Sequence, residues 1–193
     1  MICPSLKEYR RLSERYDLVP VYREILADTE TPVSVLQRFA DRENAFLLES
    51  MEGGETWGRY SFVGIDPDLY LDVDHTGTPG GGLDPLREVY RDLKVAEIEG
   101  LPRFFGGVVG FIGYEAIGEF ERMPPPRPAA SGAKSGSRFL KADRLIVFDN
   151  VRHTVKVVVC TRPGDSGSPE QAYREAVELI ESVAAELSRP APP

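Results

Sequence analysis

The 193 residues carry 41% hydrophobic, 28% charged and 9% aromatic side chains, a composition that excludes a collagen-like, coiled-coil or wholly disordered chain. With 31 acidic against 23 basic residues the net charge is −8, and the one dense basic cluster, Arg10, Arg11 and Arg15, sits among acids, so no nucleic-acid partner is expected. The longest uncharged stretch, Phe104 to Tyr114, is about half the roughly 20 residues that span a bilayer, so no membrane partner is expected either. Met1 to Glu8 brings in Lys7 before an apolar core can form, which argues against a secretory leader and for a cytoplasmic location. Cys3 and Cys160 lack ligand spacing and read as buried or idle thiols.

Ser5 and Glu8 stand at capping-box spacing ahead of a stripe of Leu6, Tyr9, Leu12 and Tyr16, which predicts a first helix. Leu18 to Ile25, limited by Pro20, reads as a short edge strand. Thr31-Pro32 supplies an N-cap and an N1 proline for a second helix burying Val35, Leu36 and Phe39. Ala45 to Leu48 and Trp57 to Gly64 read as two strands around a loop with Gly53 and Gly54, and Leu69 to Asp74 alternates as a third. After the glycine-rich linker Thr76 to Gly82, Asp84-Pro85 caps a helix expected to turn Leu86, Val89, Tyr90 and Leu93 inward.

The glycines of Phe104 to Tyr114 lack the spacing of a dinucleotide fingerprint, and close backbone approach within a buried strand explains them better. Pro124 to Arg138 reads as a surface loop. Arg144 to Phe148 and Thr154 to Cys160 form a hairpin. Ser168 as N-cap, Pro169 at N1 and Gln171 closing a capping box then start the clearest helix, with Tyr173, Ala176, Val177, Ile180, Val183, Ala184 and Leu187 on one stripe. Antiparallel strands interrupted by helices indicate an α+β fold, antiparallel sheets flanked by helices.

No hydrolase or transferase constellation emerges. His75 and His153 sit in turn-like settings and read as solvated, and Glu115, Glu119 and Glu121 beside Arg122 read as a solvated helix start. No pair of His, Cys or acidic residues has metal-ligand spacing with a third ligand. The segment Leu47-Leu48-Glu49-Ser50, with Arg59-Tyr60-Ser61-Phe62 on the following strand, has more chemistry in it. A guanidinium can fork onto a carboxylate, Glu or Ser can accept from an ammonium, and the surrounding Leu, Tyr and Phe can hold an apolar side chain. Alternation places Leu48 with Ser50 on one face and Arg59 with Ser61 on another. A plain ion pair between Glu49 and Arg59 is the structural alternative.

Five segments together, Pro20 to Ser34, Phe46 to Ser50, Gly58 to Gly64, Phe105 to Glu115 with Phe120-Glu121, and Asp143 to Asp149, resemble the N-terminal region of the anthranilate synthase component I family. The family more often has Asp where Glu115 stands, which keeps the carboxylate. The resemblance implies the N-terminal part of the two-orthogonal-sheet fold of chorismate-utilising enzymes. It also implies a role in tryptophan biosynthesis: the complete enzyme converts chorismate to anthranilate and pyruvate with ammonia from a glutamine amidotransferase subunit, under feedback inhibition by L-tryptophan.

By the same resemblance, Leu48, Glu49 and Ser50 belong to the L-tryptophan site, and Arg59 stands near a basic residue that lines it. The chain reads as a single domain over residues 1–188, with a loop at about 124–138 and a proline-rich tail at 189–193. By the resemblance, the catalytic residues and the Mg²⁺ ligands belong to a C-terminal chorismate-binding domain that is expected to be absent from this chain. No catalytic residue, metal ligand or cofactor is therefore expected in this chain, and its expected partners are that C-terminal half, the amidotransferase subunit and L-tryptophan as effector. The alternatives are the N-terminal part of an aminodeoxychorismate synthase large subunit, or a stand-alone amino-acid-binding or scaffold module.

Overall fold

The computed structural model describes residues 1–26, 30–39, 41–42, 44–49, 58–75, 82–121 and 136–189. In chain order the elements are β1 (Ile2–Cys3), α1 (Leu6–Ser13), β2 (Val19–Leu26), α2 (Pro32–Arg38), β3 (Ala45–Leu48), β4 (Tyr60–Ile65), β5 (Leu69–Asp74), α3 (Asp84–Arg91), β6 (Val108–Phe111), a 3₁₀ helix (Tyr114–Glu119), β7 (Gly136–Lys141), β8 (Arg144–Asp149), β9 (Thr154–Thr161) and α4 (Pro169–Leu187). They fall into two units, residues 1–67, 94–107 and 142–193 in the first, and residues 68–93 and 108–141 in the second.

The first unit is a six-stranded antiparallel sheet ordered β1-β2-β9-β8-β4-β3. Its strands are rich in Val, Ile and Phe, residues that pack well on a pleated surface. Val21, Val63, Ile146, Val157 and Val159 on one face of the sheet join Ala172, Ala176, Ile180, Val183 and Leu187 of α4, together with Tyr9, Val35 and Phe39, in one buried core. The starts of α1, α2 and α4 are fixed as their sequences predict. Ser5 Oγ accepts from Glu8 N–H, Thr31 and Ser34 cap each other reciprocally, and Ser168 Oγ accepts from Gln171 N–H. Gln171 does not complete a capping box, since its amide instead donates to Glu175 at 2.9 Å.

β2 is not an edge strand. It lies between β1 and β9, and Pro20 is tolerated because β1 pairs only with Tyr22 and Arg23 and so needs no N–H from it. The true edge at the other end is β3, in register with β4 through Ala45–Ile65, Phe46–Gly64, Leu47–Val63 and Leu48–Phe62. A Cβ on Gly64 would overlap the Phe46 ring, so the glycine is what lets that ring lie across the pair.

The second unit is a three-stranded antiparallel sheet ordered β5-β7-β6, with α3 and the 3₁₀ helix. Its central strand begins inside the stretch expected to be a loop. Gly136, Ser137 and Arg138 pair with Asp74, Val73 and Asp72 of β5, while residues 122–135 of that stretch lie outside the described residues. Ser137 is fully buried, accepts from Gly113 N–H at 3.0 Å and bonds the ring of His75 at 2.7 Å. His75 is thus a buried strand-end residue and not a solvated one.

β6 is an edge strand with Phe111 61% exposed, so its glycines do not mark a buried strand. Close approach is nevertheless their reason, because a Cβ on Gly110 would overlap the Arg138 carbonyl oxygen. The stripe of α3 is not turned inward either, and Asp84 does not cap it: the N-cap position is Leu83 with no side-chain cap, Val89 and Tyr90 are exposed and no residue of that helix is buried, leaving Leu83 as the buried anchor.

Candidate functional site

β3 runs antiparallel to β4, so the end of β3 at Leu48 and the start of β4 at Tyr60 share one end of the sheet. Leu48 is 39% exposed and Glu49, which follows the strand, is exposed as well. Arg59 immediately precedes β4 at the same end. The register therefore places Leu48, Glu49 and Arg59 at one end of the sheet of the first unit, with the Arg59 guanidinium turned to the β8 side of β4. Ser50 lies outside the described residues, as does Trp57.

Arg59 does not pair with Glu49, and strand alternation does not extend to it. Its guanidinium turns over the ring of Tyr60, 4.9 Å from the centroid, and grips Asp149, with Nε donating at 3.1 Å to Oδ1 and Nη2 at 2.7 Å to Oδ2. Asp149 stands opposite Tyr60 in the β4–β8 register and is 3% exposed. Its Oδ1 also accepts from the backbone N–H groups of Val151 and Arg152 at 3.2 and 3.1 Å, closing the turn into β9. Next to it, Asn150 donates from Nδ2 to the Gly58 carbonyl at 3.0 Å and to Ser61 Oγ at 3.3 Å. The segment that delivers Arg59 is thus tied to the β8–β9 turn at several points.

Burial alone would push the Asp149 carboxyl up. The hydrogen bond from Arg59, those from the Arg152 and Val151 amides, and the Arg59 charge outweigh it and hold the group below the usual carboxylate range. The same side-chain hydrogen bond holds Arg59 more firmly charged. A carboxyl depressed in the folded state stabilises the fold above its unfolded pKa, near 3.9, and loses that contribution as pH falls toward the folded value. Asp149→Asn is therefore expected to flatten the acid limb of stability below about pH 4. Urea midpoints measured from pH 6 down to 2.5 check this, and limbs of equal slope in the two proteins refute it.

A charged guanidinium with a free edge, an exposed carboxylate and an exposed leucine at one end of the sheet are the groups that pair with the carboxylate, ammonium and side chain of an amino acid. A separate cleft of about 500 Å³ along Glu97–Phe105 contains none of them. Among the described residues no group of three or more His, Cys, Asp or Glu is placed to hold a metal ion, and no helix is long and apolar enough to cross a membrane. The partner that sequence reasoning missed is Asp149. An acid just before a turn reads as a turn former, and nothing local joins it to an arginine 90 residues away.

No family model matches the chain. It is 32% identical to anthranilate synthase component 1 of Acetivibrio thermocellus over 97% of its own length and 40% of that protein. It is 34% identical to that of Pseudomonas putida over 92% of its length and 39% of the relative, and 33% identical to that of Aquifex aeolicus over 95% and 39%. Among solved structures, anthranilate synthase component I from Streptococcus pneumoniae TIGR4 superposes with a TM-score of 0.51 over 88% of this chain and 37% of that one, and at 23% identity it supports the fold alone. The chain spans about two-fifths of the length of the curated relatives it matches. Over that length it is a relative of the N-terminal region of anthranilate synthase component I.

Proposed function

We propose that this chain is the tryptophan-sensing N-terminal part of an anthranilate synthase component I. The observation that carries the reading is the match of nearly the whole chain to the N-terminal two-fifths of proteins bearing that name. In this reading Leu48, Glu49, Ser50 and Arg59 take L-tryptophan. Arg59 receives its carboxylate, Glu49 and Ser50 its ammonium, and Leu48 packs against its side chain.

Conversion of chorismate to anthranilate and pyruvate needs the C-terminal chorismate-binding half, which would also hold Mg²⁺, and ammonia from a glutamine amidotransferase subunit. On this reading the catalytic groups belong to that half. This chain's contribution to the enzyme is inhibition by the end product, by which synthesis of tryptophan is matched to demand.

The test is calorimetric titration of L-tryptophan into this chain mixed with a C-terminal chorismate-binding half. Ser50→Phe, which fills the space of a small polar contact with a ring, is expected to weaken binding by at least about tenfold. Equal binding by wild type and Ser50→Phe removes Ser50 from the site. Absence of tryptophan binding by the wild-type mixture refutes the sensing role.

A further inference from the structure

Arg59 is gripped from one side only. Asp149 takes its Nε and Nη2 hydrogens and Tyr60 underlies the guanidinium, while Nη1 has no partner among the described residues. The planar group has two usable edges. The side-on grip occupies the Nε edge and leaves the Nη1/Nη2 edge, with its pair of parallel N–H bonds, directed away from Asp149. That free fork has the geometry of a second carboxylate receptor. Asp149 is itself fixed, buried and anchored by the Val151 and Arg152 amides.

We propose that Asp149 is a positioning residue that locks Arg59 so that its free edge receives the α-carboxylate of the effector. The inference rests on the reading of Leu48, Glu49, Ser50 and Arg59 as an L-tryptophan site. Two effects of Asp149 oppose one another. Without it the Arg59 side chain, one-third exposed, regains its rotamer freedom and must be ordered again on every binding event. Its negative charge also repels an incoming carboxylate, but that repulsion acts across the guanidinium at a site open to water and salt, where it is screened. Positioning is the larger effect.

The experiment titrates L-tryptophan and L-tryptophanamide, which lacks the carboxylate, into the chain mixed with a C-terminal chorismate-binding half. Asp149→Asn is expected to weaken L-tryptophan roughly tenfold and to leave the amide within about twofold. Asp149→Glu, which keeps the charge but displaces it by one methylene, is expected to do the same, and it carries the comparison should Asp149→Asn not fold. In an Arg59→Ala background, Asp149→Asn is expected to have no further effect. Wild-type preference for tryptophan over the amide in the Asp149 variants, or tighter tryptophan binding by Asp149→Asn, leaves Asp149 as a turn cap only; the inference then fails while the site reading stands. A wild-type mixture that ignores tryptophan, or an Arg59→Ala variant that keeps the wild-type preference, overturns the site reading and the inference with it.

Discussion

Ile180→Ala is expected to destabilise the chain by about 2–5 kcal/mol, read as a fall in the urea midpoint followed by far-UV circular dichroism. Ile180 is fully buried at the middle of α4, within the core shared with Val157, Val159 and Val21. Truncation loses the transfer free energy of the removed carbons and leaves a void whose cost depends on how far the helix can settle into it. Settling is restricted here. The Tyr173 hydroxyl donates to the Pro4 carbonyl at 3.0 Å, Arg42 bonds Glu186 at 2.8 Å, and Arg23 pairs with Glu181. The loss is therefore placed in the upper half of that range. Ser182→Ala, on the exposed face of the same helix, serves as the control and is expected to change stability by no more than about 0.5 kcal/mol. A loss below about 1 kcal/mol for Ile180→Ala means that α4 does not seal this face of the sheet.

The second large effect concerns a lysine inside the sheet. Lys156, 3% exposed in β9, stands directly opposite Glu24 of β2, and its ammonium lies 2.6 Å from that carboxylate. Truncating the two partners should give unequal results. Glu24→Ala leaves a buried ammonium without its counter-charge and is expected to cost about 1–3 kcal/mol. That is short of the penalty for a doubly buried pair, because the half-exposed Glu24 position lets water in. Lys156→Met replaces the charge by an apolar chain of similar length and is expected to be neutral or stabilising. The double variant is then expected to recover most of the loss seen with Glu24→Ala, as the same urea titrations would measure. A Glu24→Ala variant as stable as wild type refutes the argument.

Local signals were read well where a single residue sets a boundary. Ser5, Thr31 and Ser168 cap the helices they were expected to cap, β3 and β5 begin and end where their patterns do, and β8 and β9 form the expected hairpin. The errors share a physical cause. An amphipathic stripe shows which side of a helix would be buried, but not whether anything covers it, and Val89 and Tyr90 remain exposed for that reason. Gly136-Ser137 has loop composition, yet Ser137 is buried because its hydroxyl finds both the Gly113 amide and the His75 ring.

At the candidate site, the end of β3 at Leu48 followed by exposed Glu49 is legible in the sequence, whereas Arg59, read as a strand residue, precedes β4 and escapes its alternation. Its partner is not legible either. Asp149 reaches Arg59 through the β4–β8 register, a pairing between segments far apart in sequence that no local pattern encodes.

Leu48 sits on a strand with one neighbour only, four residues long and terminal in the sheet. Such a strand has little to lose by detaching, so it belongs to the low-free-energy end of the chain's local openings. On the proposed reading, a ligand held between the end of β3 and Arg59 binds only while that strand is docked, and by mass action it draws the strand closed. Site occupancy and the order of the sheet's last strand are then one equilibrium, so that the concentration of a small molecule sets the fraction of molecules in which this edge is shut.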